Sequence, residues 1–361
     1  MSTDRIQAQM SDRPPFGDKD DIREERKAPD RNILDRDRLA DEFKKWGLVI
    51  VFALIVLTYS ILTPETFLSS RNLVNILNNS APLVLFSLAA TMALIIGEFD
   101  LSFPAVGDLT TIIVGIMVTT FGWTSGLGML GAVIVGMLCA LVFGLVNGFL
   151  VAKVFVPSFV ATLAIGSVAG GLELAAQGWI GGGMKQISQI VLPPALQQLG
   201  TNQIPGLGVR YSVAMALALA VLLWLALRTT TPGRRAFAVG GNPMAAYLAG
   251  VPVMWLRIGA FLLIAALAAL AGMVNLIERG YFNGASPPLL LQAYTAAFLG
   301  AAVLSKKKRF DILGTLFAVY VLVVLGNGLS LMNQPRWIAN VISGVVLVIA
   351  VVLNRPKNRK V

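Results

Sequence analysis

The chain has 361 residues, 56% of them hydrophobic and 13% charged, with a mean hydropathy of +0.74 and a net charge of +10. Soluble domains carry about 25% charged residues, so this composition excludes an ordinary soluble enzyme and predicts an all-α polytopic membrane protein. Histidine is absent and the single cysteine, Cys139, lies in an apolar run, which removes the commonest general base and any disulfide framework; no catalytic set, metal site or cofactor is expected on the chain.

Residues 1–45 hold 11 basic and 12 acidic side chains and few apolar ones. Such a segment buries too little surface to offset its ordering entropy. It is expected to be a disordered cytoplasmic tail, with a short amphipathic helix over 33–46 as its one candidate element and without the layout of a signal peptide. From residue 46 onward the chain divides into charge-free runs: 46–63, 72–97, 109–152, 154–172, 211–227, 258–277, 280–305, 312–335 and 337–354. Each approaches or exceeds the roughly 20 residues that a helix needs to cross hydrocarbon. The run 109–152 is long enough for two helices around the turn Phe121-Gly122-Trp123-Thr124-Ser125-Gly126. About ten transmembrane helices follow for a domain over 46–355, with a cytoplasmic C-terminal tail over 356–361. The eighth is short, and Ser286-Pro287-Pro288 before it is a breaker.

The basic excess sits at the ends of these runs. With the amino terminus inside, fifteen Lys and Arg side chains, Lys153, Arg228 and Arg257 among them, flank the inner ends, whereas Arg71, Lys185, Arg210, Arg279 and Arg336 flank the outer ones. That asymmetry predicts both termini in the cytoplasm. It also makes the lipid bilayer the expected partner and gives no basic patch interleaved with aromatics, as nucleic acid would require.

Two segments are not ordinary lipid-facing helix. Residues 97–108 set Glu98, Asp100 and Asp108 among two glycines and a proline. An acid at the bilayer centre costs roughly 2.5–3.5 kcal/mol, so the span is expected to be broken near 97–104, with its acids turned to a cavity or a partner. Asp100 either bonds a ligand hydroxyl or caps the helix that begins at Ser102, Phe103 and Pro104. Glu98 reads as an acid at the inner membrane boundary and Asp108 as a favourable charge near a helix start. Asn147, in the small-residue stretch Gly144 to Gly148, suits interhelical hydrogen bonding. Thr162 suits a bond to the carbonyl four residues back, and Glu173, Glu278 and Arg279 read as solvated helix ends. The second segment is the inner loop 229–257, in which glycines and prolines punctuate a short helix over 243–248 capped by Asn242.

Gly97-Glu98-Phe99-Asp100-Leu101-Ser102 resembles the G-G-I-D-L-S signature of ribose-type ABC-transporter permeases. The stretch from Pro232-Gly233-Arg234-Arg235 through Gly240-Gly241-Asn242-Pro243 to Gly250-Val251 resembles their cytoplasmic coupling loop. Val146-Asn147-Gly148, the segment from Val156 to Leu163, and Leu325-Gly326-Asn327-Gly328-Leu329 are similar to further parts of the family, and the resemblance runs over about 46–355. It implies the transmembrane subunit of an importer in the bacterial inner membrane, carrying a monosaccharide or related polyol. It also implies its partners: a periplasmic sugar-binding protein, a second permease subunit of the same or a different chain, and a cytoplasmic ABC ATPase that holds ATP and Mg. The family pattern points to a translocation pathway around Gly97, Asp100, Ser102, Asn147 and Thr162. It points to ATPase coupling by Gly241, Asn242, Ala245, Ala246 and Gly250. Glu98 in place of a glycine, Phe103-Pro104 in place of Val-Gly, and Lys306-Lys307-Lys308-Arg309 in place of a Gly-rich turn depart from that pattern and leave the particular sugar open.

The residues agree with this division of labour. No glycine is followed by lysine, so the chain has no Walker loop for ATP phosphates. Gly126-Leu127-Gly128-Met129-Leu130-Gly131 matches G-x-G-x-x-G but opens an apolar span with no strand before it, which excludes a dinucleotide cradle. Nucleosides, autoinducer-like furanoses and branched-chain amino acids are alternative cargoes. An ion-coupled carrier would commonly show paired broken helices, of which the sequence offers one, and a membrane enzyme lacks a visible nucleophile and base.

Overall fold

The computed structural model describes residues 49–180, 192, 194–280, 287–303 and 309–353; the expected tails over 1–45 and 356–361 and the basic turn at Lys306 to Lys308 lie outside them. In chain order the described helices are α1 Val49–Leu62, α2 Ser70–Asn78, α3 Ala81–Ile95, α4 Phe103–Thr119, α5 Gly126–Ala152, α6 Ser158–Ile180 and α7 Pro194–Thr201. There follow α8 Tyr211–Thr229, α9 Thr231–Gly241, α10 Pro243–Leu248, α11 Val253–Arg279, α12 Pro287–Val303, α13 Ile312–Leu331 and α14 Arg336–Leu353. Five of these, α5, α6, α8, α11 and α13, are long and apolar enough to cross a membrane, or six if the bent pair α2–α3 counts as one span; α1, α4, α12 and α14 are shorter apolar helices.

The centre of the fold is α3. All 15 of its residues are buried, so its apolar faces are covered by neighbouring helices of the chain and not by lipid. It packs against α11, α12, α13 and α8. The run expected as one span over 72–97 bends by 43° between α2 and α3, because Ser69 caps α2, Asn79 and Ser80 close it, and Pro82 starts the next helix afresh. The expected turn at 121–126 is present, with Ser125 Oγ accepting from Gly128 N–H at the start of α5.

Helix α5 lies against α11 along its small residues. A Cβ at Gly144 would stand 2.7 Å from the Phe261 carbonyl oxygen, and one at Gly148 would stand 2.9 Å from Ile258 Cα. These positions therefore set the approach of the two helices. The opposite face of α5 exposes Leu127, Leu130, Leu138, Val142 and Leu145, the pattern of a helix that meets lipid or another chain rather than water.

Charged groups gather at two opposite ends of α11. At its start Arg257 pairs with Glu98 at 2.7 Å, and at the same end Arg228 lies 3.6 Å from Asp311. At its far end Glu278 accepts from Ser212 Oγ, and Asn78 bridges the Gly208 carbonyl and the Arg210 N–H. The basic residues that the sequence assigns to opposite faces thus separate in space. Glu278 and Glu173 depart from the expected solvated ends: each is only partly exposed, and Glu173 accepts from Gln177 Nε2 at 2.9 Å.

Candidate functional site

Between α3 and α4 the backbone leaves helical geometry over 96–102, the break expected from the sequence. Gly97 turns it, with φ +78°, a left-handed value that glycine adopts without a steric penalty. A non-helical segment among apolar helices needs side-chain partners for its peptide groups, since lipid supplies none. Here they come from two helices, α6 and α12, and from Asp100 itself, and α5 adds a bond to a side chain. Phe99 N–H donates to Ser158 Oγ at 3.2 Å and Leu101 N–H to Thr162 Oγ1 at 3.0 Å, both on α6. Asp100 N–H donates to Tyr294 Oη at 2.9 Å, and the same hydroxyl donates to the Asp100 carbonyl at 2.8 Å, from α12. Ser102 donates through N–H and Oγ to Asp100 Oδ1 at 2.7 and 2.6 Å, and Asn147 Nδ2 on α5 donates to Ser102 Oγ at 2.8 Å.

Asp100, Ser102, Asn147 and Thr162 therefore come together, as expected, and all four are buried. Their bonds are largely to one another and to the segment itself. Asp100 makes the bond that capping requires, its Oδ1 accepting the Ser102 N–H just ahead of α4. Thr162 makes the expected bond to the Ser158 carbonyl at 2.8 Å and adds the bond from Leu101. Asn147 Oδ1 is buried without a partner. Tyr294 was not singled out in the sequence, where it reads as one more aromatic in a span; its rings partners are Phe99 at 5.8 Å and Phe103 at 6.0 Å.

Gly97 stands apart from these four, beside the loop 229–257. A Cβ on it would lie 3.2 Å from Gly240 Cα, and a Cβ on Gly240 would run into the Ile95 carbonyl. The loop 229–257 contains the expected helix α10, with Asn242 Oδ1 accepting from Ala245 N–H at 3.0 Å. It also contains α9, which glycines and prolines concealed in the sequence: Thr230 caps it through Gly233 N–H, and Pro232 sits in its first turn. Gly240 and Gly241 are thus the end of a helix and not a flexible link. On α10, Ala246 faces inward and is buried, whereas Ala245 and Gly250 are exposed. The outward face is made by Met244, Tyr247 and Leu248, at least 66% exposed, a spacing of three and four that one helix face presents together.

At the end of α3 away from Gly97 a cavity of about 210 Å³ opens between the start of α3, the end of α11, and α12, α13 and α14. Asn79, Asn275, Arg279, Gln292 and Ser343 give it polar walls, over a floor of Pro82, Leu83 and Leu322. None of these polar residues belonged to the expected pathway: Asn275, Gln292 and Ser343 each lie in an apolar run, and Asn79 and Arg279 close one. Among the described residues no group of three or more acids or cysteines could hold a metal ion.

Residues 72–351 match the family described as branched-chain amino acid transport system / permease component. The chain is 33% identical over 319 residues to a ribose import permease protein of Bacillus subtilis, covering 87% of this chain and 94% of the relative. It is 30% identical over 312 residues to a fructose import permease protein of Rhizobium meliloti, covering 85% and 84%. It is also 30% identical over 282 residues to an autoinducer 2 import system permease protein of Salmonella paratyphi B, covering 78% and 77%.

Proposed function

This chain belongs to the permease-component family of branched-chain amino acid-type transport systems, and we propose that it is the membrane subunit of an ABC importer for a monosaccharide or related polyol. The observation that carries the reading is the join at the inner end. There α9 rests backbone to backbone on the non-helical segment at Gly97 and Gly240, and that segment is tied to α5, α6 and α12. A protein that pushes on α10 therefore acts on a point where several spans meet. The apolar face of Met244, Tyr247 and Leu248 is the docking surface for a separate cytoplasmic ATPase, which holds the ATP and Mg. Asn242 fixes the start of that helix, Ala245 and Gly250 flank its outer face, and Ala246 seats it against the chain.

The outer cavity supports a neutral, hydroxyl-rich cargo. Amides and a hydroxyl both donate and accept, as sugar hydroxyls do, and the relatives include ribose and fructose import permeases. In this reading the bent pair and the four shorter apolar helices join the long ones as ten spans. Both termini lie in the cytoplasm, a periplasmic binding protein delivers cargo to the cavity end, and a second permease subunit covers the exposed apolar faces, all within the bacterial inner membrane. Arg279 on the cavity rim favours, as a second reading, a cargo with a carboxylate such as a branched-chain amino acid. The test is uptake by vesicles that hold this chain with the ATPase and binding protein encoded beside it, given labelled ribose, fructose, sugar alcohols, a nucleoside and leucine. ATP-dependent uptake of a sugar or polyol is expected. Uptake of leucine alone supports the second reading, and uptake driven by an ion gradient without ATP refutes both.

A further inference from the structure

We propose that Glu98 is a positioning residue that clamps the coupling segment around α10 to the non-helical turn over 96–102, so that the two move as one body. The proposal rests on the importer reading above for its consequence but not for its geometry. Glu98 and Arg257 form a 2.7 Å ion pair through Arg257 Nη2, with side chains only 10% and 18% exposed, and Arg257 Nε is buried without a hydrogen-bond partner. Arg257 lies about one turn into α11.

That helix is joined to α10 by a short bonded turn, in which Val251 N–H donates to the Ala246 carbonyl at 3.0 Å and Val253 N–H to the Val251 carbonyl at 2.8 Å. On the other side of α10, the end of α9 touches Gly97 through Gly240. Two consecutive residues of the non-helical segment, 97 and 98, therefore hold the two flanks of α10. One contact is a backbone approach that tolerates no side chain, and the other is a buried ion pair. Where the resembling family pattern has a glycine, this chain has the carboxylate that makes the second contact. A single attachment would let α10 pivot about Gly240; two attachments on opposite flanks turn a push on α10 into displacement of 97–102.

Breaking only one partner leaves a buried unpaired charge, which destabilises in its own right, so Glu98→Gln alone is expected to lower the yield. The deciding variant is Glu98→Gln with Arg257→Gln, in which two amides replace the pair and no charge is stranded. Two readouts are taken on it. In a Cys139→Ser background, spin labels at Tyr247→Cys and Val154→Cys, both exposed sites, report the distance distribution between α10 and the end of α5 in the purified chain. In vesicles with the ATPase and binding protein, cargo molecules moved per ATP hydrolysed report coupling. The expected result is a broadened distance distribution and about tenfold less cargo per ATP, within the roughly 5–150-fold range of ordinary coupling between sites. An unchanged distribution overturns the clamp, and a broadened distribution with an unchanged transport ratio overturns its role in coupling. Transport by the parent chain without ATP consumption would instead overturn the importer reading, and the distance measurement would still decide the clamp.

Discussion

Replacing Asp100 separates capping from cargo binding. Its Oδ1 receives both the N–H and the hydroxyl of Ser102, at 2.7 and 2.6 Å, in a site that is 2% exposed and so little screened. Hydrogen bonds to a charged group contribute about 1.5–3 kcal/mol and neutral ones about 0.5–1.5. Asp100→Asn keeps an acceptor oxygen in the same position and should cost about 1 kcal/mol per bond, or about 2 kcal/mol together. Asp100→Ala leaves two buried donors without that partner, at about 1–3 kcal/mol each, or about 4 kcal/mol. With roughly 2–4 °C of melting temperature per kcal/mol for a chain of this order of size, the expected losses are about 6 °C for Asn and about 12 °C for Ala. The assay is the monodisperse fraction recovered by size exclusion after heating the detergent-solubilised chain through a series of temperatures. Equal losses for Asn and Ala would refute the bond reasoning. Parental melting of Asn together with abolished uptake would show that the charge serves the cargo.

Three further substitutions test the neighbouring contacts. Gly240→Ala forces the Ile95 carbonyl to move, an overpacking cost of about 1–3 kcal/mol, and should lower uptake several-fold, whereas Gly241→Ala, with open space around it, should transport as the parent does. Tyr294→Phe removes the hydroxyl that satisfies both peptide groups of Asp100; two buried orphans at about 1–3 kcal/mol each should lower the melting temperature by about 10 °C with insertion unchanged. In a Cys139→Ser chain in intact cells, an impermeant thiol reagent should label Leu207→Cys and spare Met244→Cys, both exposed sites on opposite ends; the reverse pattern would invert the proposed orientation.

The sequence made the helical class, the break near Gly97 and the cap at Asn242 legible because each rests on local rules: apolar run length, a glycine beside acids, and a capping residue ahead of a proline. It brought Asp100, Ser102, Asn147 and Thr162 into one expected set, and the fold brings them together. What remained hidden depends on contacts between distant elements. Tyr294 is 194 residues from Asp100, and nothing in its apolar surroundings marks it as the partner of a peptide group. Arg257 reads as a loop charge until Glu98 is seen across from it. Helix α9 was obscured because Gly233 and Gly240 lower helix propensity, although both are needed there: each lies so close to backbone, of Ala226 and Leu227 or of Ile95, that a Cβ would not fit. The burial of Ala246 was equally out of reach, since a six-residue helix has too few turns to show which face is inward.

The cavity and the proposed clamp lie at opposite ends of one element. Pro82 and Leu83, at the start of α3, form part of the cavity floor, and Ile95 and Gly97, at its end, meet Gly240. The 15 residues of α3 span about 22 Å at 1.5 Å each, and none of them is exposed. A helix packed on every face at interior density has little room to bend and passes a displacement along its axis. Cargo in the cavity and a protein pressing on α10 would then act on the two ends of the same rod. Polar side chains around 97–102 hold this end of the rod to α5, α6 and α12. In the proposed importer their work is to make the inner end of α3 a fixed joint, so that opening at the cavity and pressure at the coupling helix become alternative positions of one body.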